Sequence, residues 1–193
     1  MRVFATLGPS GSNHELVTER YIEFHNISDA QVALVTDFDD AVEMVLRGDA
    51  DHIVQVAVHP DTAAVVAKTR TQLFLIDSFI APSKPLAVVT RRGVSQPRSL
   101  GLQPATRDYV DHTRWSEHVP ETSIVTVGEG LLAGRYDSGI TALELAHRHP
   151  DELVIDEVIG TVDDVWLVYG RERTCEGEIL AWRESPAAAI YRR

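Results

Sequence analysis

Val3-Phe4-Ala5-Thr6-Leu7-Gly8-Pro9-Ser10-Gly11-Ser12-Asn13-His14-Glu15, with the amphipathic run that continues to Phe24, is the stretch from which the fold is read. A short apolar strand stops at Gly8-Pro9, crosses a small polar loop and enters a helix whose start is marked by Ser12 and Glu15 at capping-box spacing. Strand, loop and helix in that order make an anion site. N–H groups at a helix start lack intrahelical acceptors, and the aligned peptide dipoles put partial positive charge there. Gly8 and Gly11 let a ligand approach the backbone, and Ser10, Ser12, Asn13 and His14 add side-chain donors. The plainer alternative is that Ser12 and Glu15 only cap the helix and Gly8-Pro9 only turns the chain.

Working outward, Gln31-Val32-Ala33-Leu34-Val35 reads as a second strand, Phe38 to Leu46 as a helix ending at Gly48, and Ile53 to Val58 as a third strand. This alternation predicts an α/β chain with mostly parallel sheets flanked by helices. His59-Pro60 closes the third strand at the sheet edge where ligands of open α/β sheets sit, so His59 is a candidate proton donor or carboxylate partner, or else an exposed turn residue. Gln55, polar inside an apolar strand, needs a partner, internal or ligand.

Leu73 to Ile80 and Leu86 to Thr90 read as strands joined by the stiff Ala81-Pro82-Ser83-Lys84-Pro85, a connection suited to crossing between two lobes. A second strand-loop-helix unit follows: Ser99 to Gln103, then Pro104 and a helix beginning near Thr106, with Arg107 placed to bind a carboxylate bidentately or to pair with Asp108 or Asp111. Ser123 to Val127 reads as a strand feeding a helix at Gly128, and Thr141 sits at a third strand-to-helix junction as cap or ligand hydroxyl. Leu153 to Ile159 and Val165 to Tyr169 complete the strands. The tail, with Ile179, Leu180, Trp182 and Ile190-Tyr191, packs as a last helix or serves a homodimer interface.

Composition narrows the classes. At 193 residues and 44% hydrophobic the chain can bury a core, and it holds no apolar run long enough to span a membrane. Met1-Arg2 and the short apolar stretch after it do not read as a signal peptide, so a cytoplasmic protein is expected. Cys175 is the single cysteine, which rules out an internal disulfide and a thiolate metal cluster. His147 and His149 lack metal-pair spacing, and neither metal nor cofactor is expected. The net charge of −11 argues against nucleic acid or a membrane surface as partner and leaves a small anionic carboxylate open.

On these residues the sequence resembles the prephenate dehydratase family. Members open with a Leu-Gly-Pro-x-Gly loop followed by Thr or Ser, matched by Leu7 to Ser12, and the likeness continues through Gly48-Asp49-Ala50-Asp51 and Thr141 to Ala146. The resemblance implies a two-lobed type 2 periplasmic-binding-protein fold. It also implies one catalytic domain over 1–193, with lobe 1 at about 1–82 and 155–193, lobe 2 at about 83–154, and no ACT domain. Two departures stand out. The family's Pro-Ile-Glu-Asn segment corresponds to Val56-Ala57-Val58-His59, and the late Thr-Arg-Phe, whose threonine is thought to protonate the departing ring hydroxyl, is replaced within Val162-Asp163-Asp164-Val165-Trp166. The prephenate decarboxylase branch of the bacilysin pathway also lacks that motif, and Leu86-Ala87-Val88, Pro104-Ala105-Thr106, Glu144-Leu145-Ala146 and Trp166-Leu167-Val168 are similar to it.

That branch implies a lyase that decarboxylates prephenate, or a related cyclohexadienyl carboxylate, without aromatising it. Ser10 to Asn13 would hold one carboxylate and Thr106-Arg107 the other, with Gln55, Gln103 and Thr141 as further contacts. His59 and then His14 are the first candidates for the proton donor, and Asp163 or Asp164 would serve only if burial raised its pKa. Dehydration of prephenate and non-catalytic binding of a small carboxylate are the competing readings.

Overall fold

Phe4 and Ala5 point to opposite faces of one strand, and both are buried, which requires cover on both sides of the sheet. The computed structural model, which describes residues 1–182, supplies that cover in each of two lobes. The chain begins with β1 (Arg2–Leu7), α1 (Asn13–Phe24), β2 (Ala30–Val35), α2 (Phe38–Arg47), β3 (His52–Val56), α3 (Thr62–Thr69) and β4 (Phe74–Pro82). It then crosses into β5 (Leu86–Arg91), β6 (Ser99–Leu102), β7 (Glu117–Pro120), α4 (Ile124–Leu132), β8 (Ser138–Ala142), α5 (Leu143–Arg148) and β9 (Leu153–Gly160). It returns as β10 (Asp163–Gly170).

The strands form two five-stranded sheets, ordered β2-β1-β3-β10-β4 and β7-β6-β8-β5-β9. The expectation of mostly parallel sheets is corrected. β1 runs parallel to β2 and β3, and β6 to β7 and β8, whereas β10 and β5 are antiparallel to both of their neighbours. The physical reason is the double crossing, because a chain that leaves one lobe and comes back re-enters its sheet reversed. The crossings lie side by side: Ser83 N–H donates to Val162 O at 2.8 Å, and Val162 N–H donates to Ser83 Oγ at 2.9 Å.

Phe4 packs with Val17, Val54 and Trp166 on one face of the first sheet, and Ala5 with Phe38, Val45 and Tyr169 on the other. In the second lobe Ala87 and Val89 pack with Val127, Leu131 and Tyr136, while Val88 faces Leu100, Trp115 and Ile140. Tyr136 is buried, and its hydroxyl donates to Val127 O at 2.7 Å. Its ring occupies the space a side chain on Gly101 would need. Gly101→Ala is therefore expected to cost about 1–3 kcal/mol by overpacking, read as a shifted urea midpoint. An unchanged midpoint would show that the ring can step aside.

The segment from Ser123 to Val127 corrects the sequence reading most sharply. Its β-branched run suggested a strand, but it starts α4, and β7 was not anticipated at all. Ser123 and Thr126 form a reciprocal capping box, and that local bonding outweighs strand propensity. The expected helix near Thr106 is a six-residue 3-10 turn, Pro104–Tyr109. Residues 171–182 carry no helix or strand, with Ile179 and Trp182 exposed, and Ile190 and Tyr191 lie outside the described residues. No helix among the described residues is long and apolar enough to cross a membrane.

A candidate binding cleft between the lobes

The crossings leave a cleft of about 110 Å³ between the lobes. Leu7, Ser12, Asn13, His14, Val56, His59 and Asp164 line it from one side, and Leu86, Gln103, Thr106, Tyr109, Thr122, Ser123 and Ile124 from the other. This is below the ~300–1,000 Å³ of drug-sized sites. No lysine or arginine lines it among the described residues.

The first wall is built by the turn from β1 into α1. Ser12 Oγ accepts the Glu15 N–H at 3.1 Å and donates to Leu7 O at 2.9 Å, which fixes the helix start at the cleft edge. Ser10 and Gly11 do not line the cleft, a correction to their expected role. The Ser10 hydroxyl (3.0 Å) and the Gly11 N–H both donate to the carboxylate of Glu15, so the chain's own anion occupies the place proposed for a ligand. Asn13 does face the cleft, and its Oδ1 accepts the Lys84 N–H at 3.1 Å. Lys84 Nζ in turn donates to Gly11 O at 2.6 Å, tying this loop to the crossing segment.

His14 packs edge-on against Trp166 at 5.1 Å, with Phe38 at 5.7 Å and His59 at 6.1 Å between ring centres. Its Nε2 is buried and has no hydrogen-bond partner among the described residues. Burial, then the neighbouring His59 charge, pulls the His14 pKa down to about 3. Burial also lowers that of His59, outweighing the nearby Asp61, whose N–H donates to His59 Nδ1 at 3.2 Å. Both imidazoles are brought to the cleft as expected, but both are held neutral near pH 7, so neither is poised there as an imidazolium donor.

The second wall combines the Pro104–Tyr109 turn with the start of α4. Gln103 Oε1 accepts the Ala105 N–H at 2.8 Å, and Thr106 Oγ1 donates to Gln103 O at 2.8 Å. In a 3-10 turn, residues three apart eclipse one another, so Thr106 and Tyr109 share the cleft face. Arg107 falls on the exposed side and does not line the cleft, which corrects its assignment as a carboxylate clamp. Ser123 caps α4, and Thr122, Ser123 and Ile124 bring the start of that helix to the cleft. Val125 of that turn lies 3.9 Å from where a side chain on Gly11 would begin, so the starts of α1 and α4 converge from opposite lobes.

Two further assignments are corrected. Gln55 is fully buried in the middle of β3, away from the cleft, and neither of its amide atoms has a partner among the described residues. Thr141 is buried and donates to Ile124 O at 2.7 Å, which fastens β8 to the start of α4 instead of reaching a ligand. Sequence reasoning missed Tyr109, Thr122 and Ser123. The Ser-x-x-Thr spacing from Ser123 to Thr126 was the available signal for the last. Asp164 stands on the same face of β10 as Trp166, opposite Tyr109. Burial, then the charge of Asp163, raises its pKa, and burial, then the charge of Asp164, raises that of Tyr109.

Among solved structures, the chain is similar to a prephenate dehydratase from Arthrobacter aurescens in complex with L-Phe. The TM-score is 0.64 at 22% identity, over 92% of this chain and 63% of that one. It is also similar to an ABC transporter protein from Parabacteroides distasonis, with a TM-score of 0.57 at 17% identity over 88% of this chain and 65% of that one. This chain has the two-lobed type 2 periplasmic-binding-protein fold. The quorum-quenching acylase GqqA shares the fold with a TM-score of 0.55 at 14% identity, over 90% of this chain and 65% of that one. The chain spans less than two thirds of the length of each of these three proteins. No family model and no curated protein matches it. In this fold the cleft between the lobes is bounded here by two helix starts, two neutral histidines and one acid.

Proposed function

We propose that the chain is a lyase, acting in the cytoplasm, that releases carbon dioxide from a small cyclohexadienyl carboxylate without aromatising the ring, with prephenate as the first substrate to test. The observation that carries this reading is the convergence of the α1 and α4 starts on a cleft that no lysine or arginine lines among the described residues. With the Glu15 carboxylate holding the Ser10 and Gly11 donors, the α4 start is the end whose backbone N–H groups would orient a carboxylate. A guanidinium would stabilise that carboxylate in the ground state more than in the transition state, where its charge moves into the ring, and would therefore slow the loss of carbon dioxide. Leu7, Val56, Leu86 and Ile124 give the cleft an apolar lining that favours the same charge dispersal. The prephenate dehydratase of the same fold supports the substrate class, and the replacement of the family's Thr-Arg-Phe within Val162-Asp163-Asp164-Val165-Trp166 favours decarboxylation over dehydration.

The test is to mix the protein with prephenate near neutral pH and follow trapped carbon dioxide and proton NMR. Carbon dioxide with a non-aromatic hydroxylated keto acid is the expected result. Phenylpyruvate would replace the reading with dehydration. Saturable binding without turnover would reduce the chain to a carboxylate-binding module.

A further inference from the structure

We infer that Asp164 is the catalytic acid of the cleft, the group that protonates the ring carbon when carbon dioxide leaves. This rests on the decarboxylase reading above. The geometry comes from β10. Asp164 and Trp166 stand on one face of that strand, and His14 packs on Trp166 at 5.1 Å, so the strand brings the carboxyl and the imidazole to the same lobe wall. Asp163 lies on the other face and is exposed.

The titratable groups that line the cleft with Asp164 are Tyr109 from the opposite lobe and His14 and His59 from its own. Both histidines are held neutral, and no cation lines the cleft among the described residues to stabilise the carboxylate of Asp164. Asp164 is the one carboxyl that lines the cleft among the described residues, and burial and the Asp163 charge both favour its protonated form.

The step balances. The bond between the ring carbon and the carboxylate breaks, and carbon dioxide departs. The electron pair moves through the diene to a ring carbon, and that carbon takes the proton from Asp164. The Asp164 carboxylate is then reprotonated from water. The ring hydroxyl stays, and no oxidant or reductant is consumed.

The experiment compares wild type, Asp164→Asn and Asp163→Asn with prephenate, by carbon dioxide release across pH and by NMR of products formed in heavy water. Asp164→Asn is expected to lower kcat by about 10²–10⁴-fold while prephenate still shifts its melting temperature. It should also lose the wild-type decline in rate as pH rises through the raised Asp164 pKa, and the single-face deuteration of the ring. Asp163→Asn should keep the single-face deuteration and a pH decline, the decline displaced to lower pH because the Asp163 charge that helps raise the Asp164 pKa is gone. Carbon dioxide release by Asp164→Asn at the wild-type rate, or with the pH decline intact, overturns the assignment alone. No carbon dioxide from wild type overturns the decarboxylase reading, and the assignment with it.

Discussion

Replacing Trp166 by alanine is expected to lower the unfolding free energy by about 3–5 kcal/mol, the range for emptying a fully enclosed aromatic site. Trp166 is the largest fully buried side chain and lies at the centre of the cluster formed by Phe4, Val17, Val54 and Val168. Its indole N–H has no partner among the described residues, so the loss is one of packing. Trp166→Phe, which keeps most of the volume, should cost visibly less. A urea titration of the three proteins decides it, and a loss below ~1 kcal/mol for the alanine variant would mean that the cluster collapses around the gap. The same substitution removes one wall of the His14 site, so the imidazole should titrate closer to its ordinary 6.5, a shift visible in its ring-proton NMR signals.

Acid should weaken the fold through His14. Its pKa is about 3 in the folded chain and 6.5 when exposed, so between those values the unfolded chain binds a proton that the folded chain refuses. The stability His14 confers is complete above pH 6.5 and is lost as the pH falls towards 3. At pH 4 the loss from this one group is roughly 3 kcal/mol. His59, lowered for the same reason, acts in the same direction, while Asp164, raised by burial, acts against it. Melting temperatures of wild type and His14→Gln from pH 7 to pH 4 isolate the contribution. The wild-type curve should fall more steeply, and parallel curves would show that His14 is protonated in the folded protein.

The first half of the fold was legible because each element had its own local signal. Phe4-Ala5-Thr6 alternates as a strand, Ser12 caps, and Gly48 ends its helix in the left-handed conformation, φ 86°. The second lobe was harder to read. Ile124-Val125-Thr126-Val127 has the composition of a strand, and only the pairing of Ser123 with Thr126 says helix. The site was half legible for a related reason: residue type and spacing place a side chain near an edge but do not say who its partner is. Ser12, Asn13, His14, His59, Gln103 and Thr106 reach the cleft. Glu15 takes the donors of Ser10 and Gly11, and the tighter 3-10 turn throws Arg107 outward. The weight of Asp164 depends on burial, which follows from packing against the opposite lobe and has no signature in the chain.

The place of β10 between β3 and β4 sets an order of assembly. β5 to β9 are contiguous in the chain, so the second sheet has all its strands once residue 160 has been synthesised. The first sheet does not: among the described residues β4 pairs only with β10, and it must wait unpaired while a whole lobe is inserted. A nascent chain halted at Gly160 would hold a complete second lobe beside β1, β2 and β3 and an orphaned β4. The wall that carries Tyr109 and Ser123 thus exists before the wall that carries Asp164, and the cleft comes into being only with β10.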